Sequence, residues 1–337
     1  MGRPVLLRGL PLLAIALILS LSVVKEGALA RFMVITPTYD GSGQAVHPDV
    51  IYLERGLGGR RYRYWMVFTP YPKGDYSREN PSILVSDDGR SWFVPRGLVN
   101  PLAAPPPKGH YSDPDMFSFR GELWIFFRWS YGLEERIYAK SSRDGISWSD
   151  EVKVLETSSE SLLSPSVVVE SGTLRMWYID NRPNPNVLKM RTSRAPEGPW
   201  SEPTVCDVDG VPEGRELWHL DVVRVSGGYD SFIVLINKGR GLREAELYFA
   251  TSKDGVKWRL SEIPILMPSV SDWDNYLIYR SSALLLREGE EGGTSFRKYA
   301  LWYSACNKDK EWHIGYAELS ICISGDELLL CDGFNSQ

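Results

Sequence analysis

The chain has 337 residues, enough to bury a full core as one large all-β domain or as two average domains. A formal net charge of −5 with both signs interspersed excludes the basic footprint of a nucleic-acid binder, and no phosphate loop, haem motif or nucleotide fingerprint is present. Four cysteines without a C-x-x-C spacing exclude a disulfide scaffold and argue against a zinc site.

At the N-terminus Arg3 and Arg8 precede a charge-free run over residues 9–24, which Lys25 and Glu26 end, and Ala28-Leu29-Ala30 matches a small-x-small cleavage site. Sixteen residues are short for a membrane span, which favours a cleaved secretory signal over a retained anchor. The expected plan is therefore a targeting segment at 1–30, a folded domain at 31–325 and a tail at 326–337. The protein is expected outside the cytoplasm, secreted or held by that first segment, with membrane contact only through it.

Beyond residue 30 the sequence is written in strands. "RFMVITPT" opens the domain and is expected to pair with the last unit beside "WHIGYAEL", leaving no long open edge. Five times a short strand is followed by a Trp- or Tyr-rich one: "HPDVIYL" and "YRYWMVFT", "SDPDMFSF" and "ELWIFFRW", "SPSVVVE" and "LRMWYID", "HLDVVRV" and "DSFIVLIN", "YRSSALLL" and "KYALWYSA". A Ser-x-Asp-Gly-x-x-Trp motif recurs in phase with them, as "SDDGRSW" at Ser86, "SRDGISW" at Ser142 and "SKDGVKW" at Ser252. Looser copies are "SRAPEGPW" at Ser193 and "SACNKDKEW" at Ser304. Asp-Gly predicts a tight two-residue hairpin, since Gly supplies positive φ without steric cost. The closing tryptophans stand at 92, 148, 200, 258 and 312, a period of 52 to 58 residues. That length holds about four strands, and five units predict an all-β, five-bladed β-propeller with four antiparallel strands per blade. Cys322 and Cys331 flank "ISGDELLL", a hairpin that a disulfide could close.

In a propeller the first strand of each blade lines the central channel, and residues two apart point the same way. Aligning the five inner strands makes His47 and Asp49, Asp113 and Asp115, Ser164 and Ser166, His219 and Asp221, and Arg280 and Ser282 equivalent. Four carboxylates gathered on one axis repel one another and cost desolvation, an arrangement that points to chemistry or ligand binding. Acid–base hydrolysis by a pair of carboxyls needs one ionised and one protonated, and Asp49 is the expected base and Asp221 the expected acid, with Asp115 or Asp113 tuning it. His47, His219, Ser166, Arg280, Arg128, Glu79 and Asn80 are expected around the substrate, and Tyr71 and Trp273 as sugar-stacking platforms. Glu79 is the alternative acid. No cofactor is expected; a ring of Asp and His would suit a structural Ca2+ in the channel, though no spacing demands one.

Five blades, the "SDPD" inner strand and the aromatic second strands resemble the five-bladed propeller glycoside hydrolases of families 43, 32, 68, 62, 117 and 130. The resemblance spans residues 31 to about 320. It implies a carbohydrate substrate and a glycosidase that cleaves an extracellular poly- or oligosaccharide. The pattern departs from family 43: the D-P form falls on the second blade at Asp113, the first has His47 before its proline, the third has Ser164, and the fourth has His219 and Asp221 where an acid Glu belongs. A non-catalytic sugar-binding propeller is the alternative. A sialidase-like enzyme is the remoter one, because the repeat resembles the Asp-box turn while only Arg280 lies on an inner strand.

Overall fold

The computed structural model describes residues 29–239, 244–291, 293–325 and 327–331; the expected targeting segment lies outside the described residues, apart from Leu29 and Ala30. The sheets form the five expected blades, each beginning at the channel and running outward. The inner strands are Ala45–Tyr52, His110–Phe119, Leu163–Glu170, Arg215–Val225 and Leu277–Glu291. The aromatic second strands follow as Tyr64–Pro70, Glu122–Tyr131, Thr173–Asp180, Gly228–Asn237 and Thr294–Cys306. Their Trp65, Trp177 and Trp302 are fully buried, so the tryptophan richness serves the packing between blades.

Closure is as expected: Arg31–Val34 pairs antiparallel with the strand Trp312–Ser324 of blade V, Arg31 opposite Ala317 and Val34 opposite Ile314. The first residues of the domain thus supply the outer strand of the last blade, and the ring has no free seam. Blade I has three full strands, and a single bridge from Val85 to Phe93 takes its outer place. Residues from 326 onward were expected to be a tail. Instead Glu327–Leu330 continues the sheet along Trp312–Ser324, and a Cys322–Cys331 disulfide ties it there.

The repeated motif joins the third strand to the outer one, at the end where the inner strands finish, and its geometry differs from the expected two-residue hairpin. In the first copy the Ser86 hydroxyl accepts the Gly89 N–H at 2.9 Å. The Asp88 carboxylate accepts the N–H groups of Arg90 and Ser91 at 2.8 and 2.7 Å, and the Trp92 indole donates to the Gly89 carbonyl at 3.1 Å. Ser142, Asp144, Gly145 and Trp148 repeat this pattern, as do Ser252, Asp254, Gly255 and Trp258. A side chain that caps two amides makes a wider loop than a type I′ turn, and this is why the motif needs Ser and Asp as well as Gly. The glycine has a second duty. A Cβ on Gly145 would lie 2.1 Å from the Trp65 ring of blade I, one on Gly255 2.7 Å from Trp177 of blade III, and one on Gly89 3.0 Å from Trp302 of blade V. Each turn therefore seats the tryptophan of the preceding blade.

The looser copy at Ser304 is not one of these turns. It connects the second and third strands of blade V, at the other end of the propeller. Blade V takes its outer strand from the beginning of the chain and needs no such turn.

Candidate active site

The inner strands share an irregularity that periodicity does not reveal. Each skips a pairing position near its start: between Val46 and Asp49, Ser112 and Asp115, Leu163 and Ser166, Leu217 and His219, and Ile278 and Arg280. In three blades the skipped residue precedes a proline and has positive φ: His47 at 54°, Asp113 at 49° and Ser164 at 55°. Left-handed backbone at such residues costs about 1–3 kcal/mol, and bulges of this kind re-aim a side chain. The proline has no N–H to leave unpaired there. The result is two rings of channel residues, one above the other.

The lower ring is Asp49, Asp115, Ser166, Asp221 and Ser282, and it has one repeated job. Each residue accepts the backbone N–H of the next blade: Asp49 from Met116, Asp115 from Val167, Ser166 from Val222, Asp221 from Ala283 and Ser282 from Val50, at 2.5 to 3.1 Å. Five latches thus close a circle. The three aspartates do meet, with a ligand atom from each within 4.8 Å of the others. Burial raises all three carboxyls against Arg280's opposing charge, Asp49's negative charge adds to the rise of the other two, and Asp221 is pushed up to about 7. They line a cavity of about 240 Å³ walled by the later residues of the inner strands, Met116 to Ser118 and Val222 to Arg224 among them. It therefore opens toward the end that carries the repeated turns.

The upper ring is different. Asp113 is its hub: Oδ1 lies 3.2 Å from His219 Nδ1, 3.5 Å from His47 Nε2 and 3.7 Å from Arg280 Nη1, and Oδ2 lies 3.7 Å from Arg128 Nη1. The Ser112 hydroxyl donates to Oδ2 at 2.8 Å. Glu79 reaches the other side of His47, with Oε1 3.3 Å from Nδ1. Every one of these side chains is buried. Yet His47 Nε2, both His219 nitrogens, Asp113 Oδ1, Glu79 Oε1, and Arg280 Nε and Nη1 have no hydrogen bond among the described residues. Buried polar atoms are normally paired, so this group calls for a further partner, whether water, ion or ligand. Burial alone would raise Asp113, but the two imidazoles and Arg280 outweigh it and hold the carboxyl well below its ordinary range. Burial drives His47 well down and lowers His219, against the opposite pull of the Asp113 carboxylate on both rings. Burial and the Asp113 charge push Glu79 well above the ordinary glutamate range.

The expected residues thus divide. His47, Asp113, His219, Glu79, Arg128 and Arg280 come together above, while Asp49, Asp115, Asp221 and Ser166 meet below as latches. Arg128 is held in a fork by Glu135, at 2.7 Å on both arms, with its third nitrogen toward Asp113. Asn80 is a loop brace, donating to the Tyr39 hydroxyl at 2.8 Å. Tyr71 stacks on Tyr279, 6.4 Å between ring centres at 7°, inside an aromatic cluster that includes Trp312. Trp273 is spent on Tyr303, at 5.6 Å, and on Gly315. Neither ring is the open platform expected of it. Sequence reasoning missed Tyr279, whose ring lies 4.6 Å from His219 and 5.1 Å from His47. The bulge at the start of "YRSS" is what turns it inward.

No family model matches the chain. An A type blood N-acetyl-alpha-D-galactosamine deacetylase from Flavonifractor plautii is 29% identical over 82% of this chain, which spans only 45% of that protein's length. A crystal structure of an N-acetylgalactosamine deacetylase from F. plautii, in complex with blood group B trisaccharide, superposes with a TM-score of 0.76 at 26% identity, covering 87% of this chain and 95% of that one. A thermostable family-43 glycoside hydrolase follows with a TM-score of 0.62 at 12% identity, again over 87% and 95%.

The fold is that of the five-bladed propeller glycoside hydrolases. The D-P inner strand and aromatic second strands were sound guides to this propeller. The relative with the higher TM-score is a deacetylase, so the scaffold alone does not say which bond is cleaved.

Proposed function

We propose that this propeller is a carbohydrate N-deacetylase, hydrolysing the acetamido group of an N-acetylated sugar, in place of the glycosidic cleavage expected from sequence. The observation that carries the reading is the upper trio. His47, Asp113 and His219 each offer one donor atom within 4.8 Å of the others, with lone pairs unspent. Two imidazoles and one carboxylate are the donor set of hydrolytic metal centres, and the expectation of no cofactor is revised accordingly. A divalent transition metal held there would polarise an acyl carbonyl and acidify water.

The chain's own groups supply the rest. Glu79, beside His47, would take the proton of the attacking water while ionised and return it to the departing amine once protonated, the form that burial favours. Arg280 and Arg128 keep Asp113 charged. Thr69, whose hydroxyl is 3.1 Å from His47 Nδ1, fixes that ring. The name of the Flavonifractor relative supports the same bond.

On this reading Asp49 and Asp221 are not an acid–base pair. Their oxygens hold amides of neighbouring blades, and their ring is tighter than the roughly 6.5–9.5 Å that inversion needs. A channel Ca2+, if bound, belongs to this oxygen-only ring. An extracytoplasmic location is favoured by the N-terminal apolar run together with the Cys322–Cys331 disulfide.

Incubation with a glycan ending in N-acetylgalactosamine should release acetate and leave a free amine, without new reducing ends, and a chelator should stop it. Reducing ends without acetate would restore the glycosidase. Binding with neither product would leave a lectin-like propeller.

A further inference from the structure

The upper mouth carries aromatic surface that the pocket does not use. Tyr71, Tyr279 and Trp312 are packed on one another, but Tyr76 stands 60% exposed on the turn Tyr76–Arg78, between the second and third strands of blade I. That turn is braced from every side. The Asp75 carboxylate accepts from the backbone and hydroxyl of Ser77. The Tyr39 hydroxyl donates to the Arg78 carbonyl and accepts from Asn80. Gln44 accepts the N–H groups of Tyr71 and Lys73. The Tyr76 ring itself rests on the imidazole of His110, 5.2 Å between centres and tilted by 57°. A rigid loop that holds a large ring out to water gives up hydrophobic burial and retains a preorganised face.

Its position follows from the chain. Tyr76 precedes Glu79 by three residues, and His110 precedes Asp113 by three on the same inner strand, so the pair lies at the same end of the propeller as those two carboxyls. The rim continues to Tyr131, 49% exposed, with Lys108 Nζ 5.8 Å from its ring centre. Gly109 makes room for it, since a Cβ there would lie 2.2 Å from the Ser130 carbonyl oxygen and 3.0 Å from Tyr131 Cβ.

We propose that the Tyr76–His110 pair is a stacking subsite for the sugar next to the one that enters the pocket, so that the substrate is an oligosaccharide and not a free amino sugar. This rests on the deacetylase reading above. The apolar C–H face of a pyranose can stack on the exposed face of such an aromatic ring.

The test compares a trisaccharide ending in N-acetylgalactosamine with N-acetylgalactosamine itself, by steady-state acetate release and by calorimetric binding. In Tyr76→Ala the ratio of kcat/KM for trisaccharide over monosaccharide should fall about fivefold to tenfold, through KM and not kcat, with trisaccharide affinity falling alike. Tyr76→Phe should keep both. A wild-type ratio near one, or an equal loss on both substrates in Tyr76→Ala, overturns the subsite. If no acetate is released from either sugar the deacetylase reading fails alone, and calorimetry then decides the subsite by whether Tyr76→Ala weakens the trisaccharide.

Discussion

The two ends of this propeller handle polar groups in opposite ways, though one set of strands builds both. At the end with the repeated turns, hydroxyls and carboxylates cap backbone amides, and the lower ring passes one latch from blade to blade. At the other end, two residues earlier on the same strands, buried nitrogens and oxygens are left without hydrogen bonds around Asp113. The lesson is that a concentration of acidic side chains is a poor guide to chemistry by itself. Three aspartates within 4.8 Å have their oxygens on amides of neighbouring blades, whereas the two histidines and Asp113 keep buried atoms without hydrogen bonds among the described residues.

The sharpest way to break the comparison is to remove the carboxyl proposed as proton carrier in the upper ring. Glu79→Gln should lower kcat for deacetylation by about 10²–10⁴-fold with an unchanged melting temperature, as read by acetate release and thermal denaturation. An Asp221→Ala enzyme that lost as much activity while staying folded would return catalysis to the lower ring. Next in size is the seat of Trp65. Gly145→Ala forces a Cβ into the indole at positive φ, and about 2–4 kcal/mol of stability should go, measured by denaturant unfolding. Asp221→Ala should cost about 1–3 kcal/mol, because the Ala283 N–H and the Ser166 hydroxyl lose their acceptor, with turnover per folded molecule preserved.

The smallest effect is one of pH. The N–H groups of Ser91 and Arg90 draw the Asp88 carboxyl down to about 2, below its value in an unfolded chain. Its contribution to stability is then full above pH ~4 and fades as the pH falls toward 2, since the unfolded state binds the proton first. Asp88→Asn keeps an acceptor in the turn without a titrating group. Thermal melts between pH 5 and 2 should show a slightly shallower acid slope for it than for the wild type.

Much of the fold could be read from the sequence, because blades repeat and repeats are local. The order of strands, the aromatic second strand and the closure by "RFMVITPT" all follow from alternation and period. The same logic misled at Trp312, whose spacing fits the period although it sits at the opposite end of its blade. The site was legible only in part. Strand alternation put His47, Asp113, His219 and Arg280 on one level and Asp49, Asp115 and Asp221 on the next, which is where they are. It could not say which level chemistry uses, because that depends on which oxygens the neighbouring blade's amides have already taken. Glu79 and Tyr76 were harder still, since they ride on a loop whose path is set by Gln44, Tyr39 and Asp75 rather than by any period.

The pairing of Arg31–Val34 with Trp312–Ser324 has a consequence for biosynthesis. A ribosome finishes the first four blades while the partner of the opening strand is still unmade, so that strand must wait, extended and unsatisfied, until the last blade leaves the exit tunnel. The circle can shut only when translation is nearly done, and a nascent chain arrested before residue 312 stays an open crescent with two sticky margins.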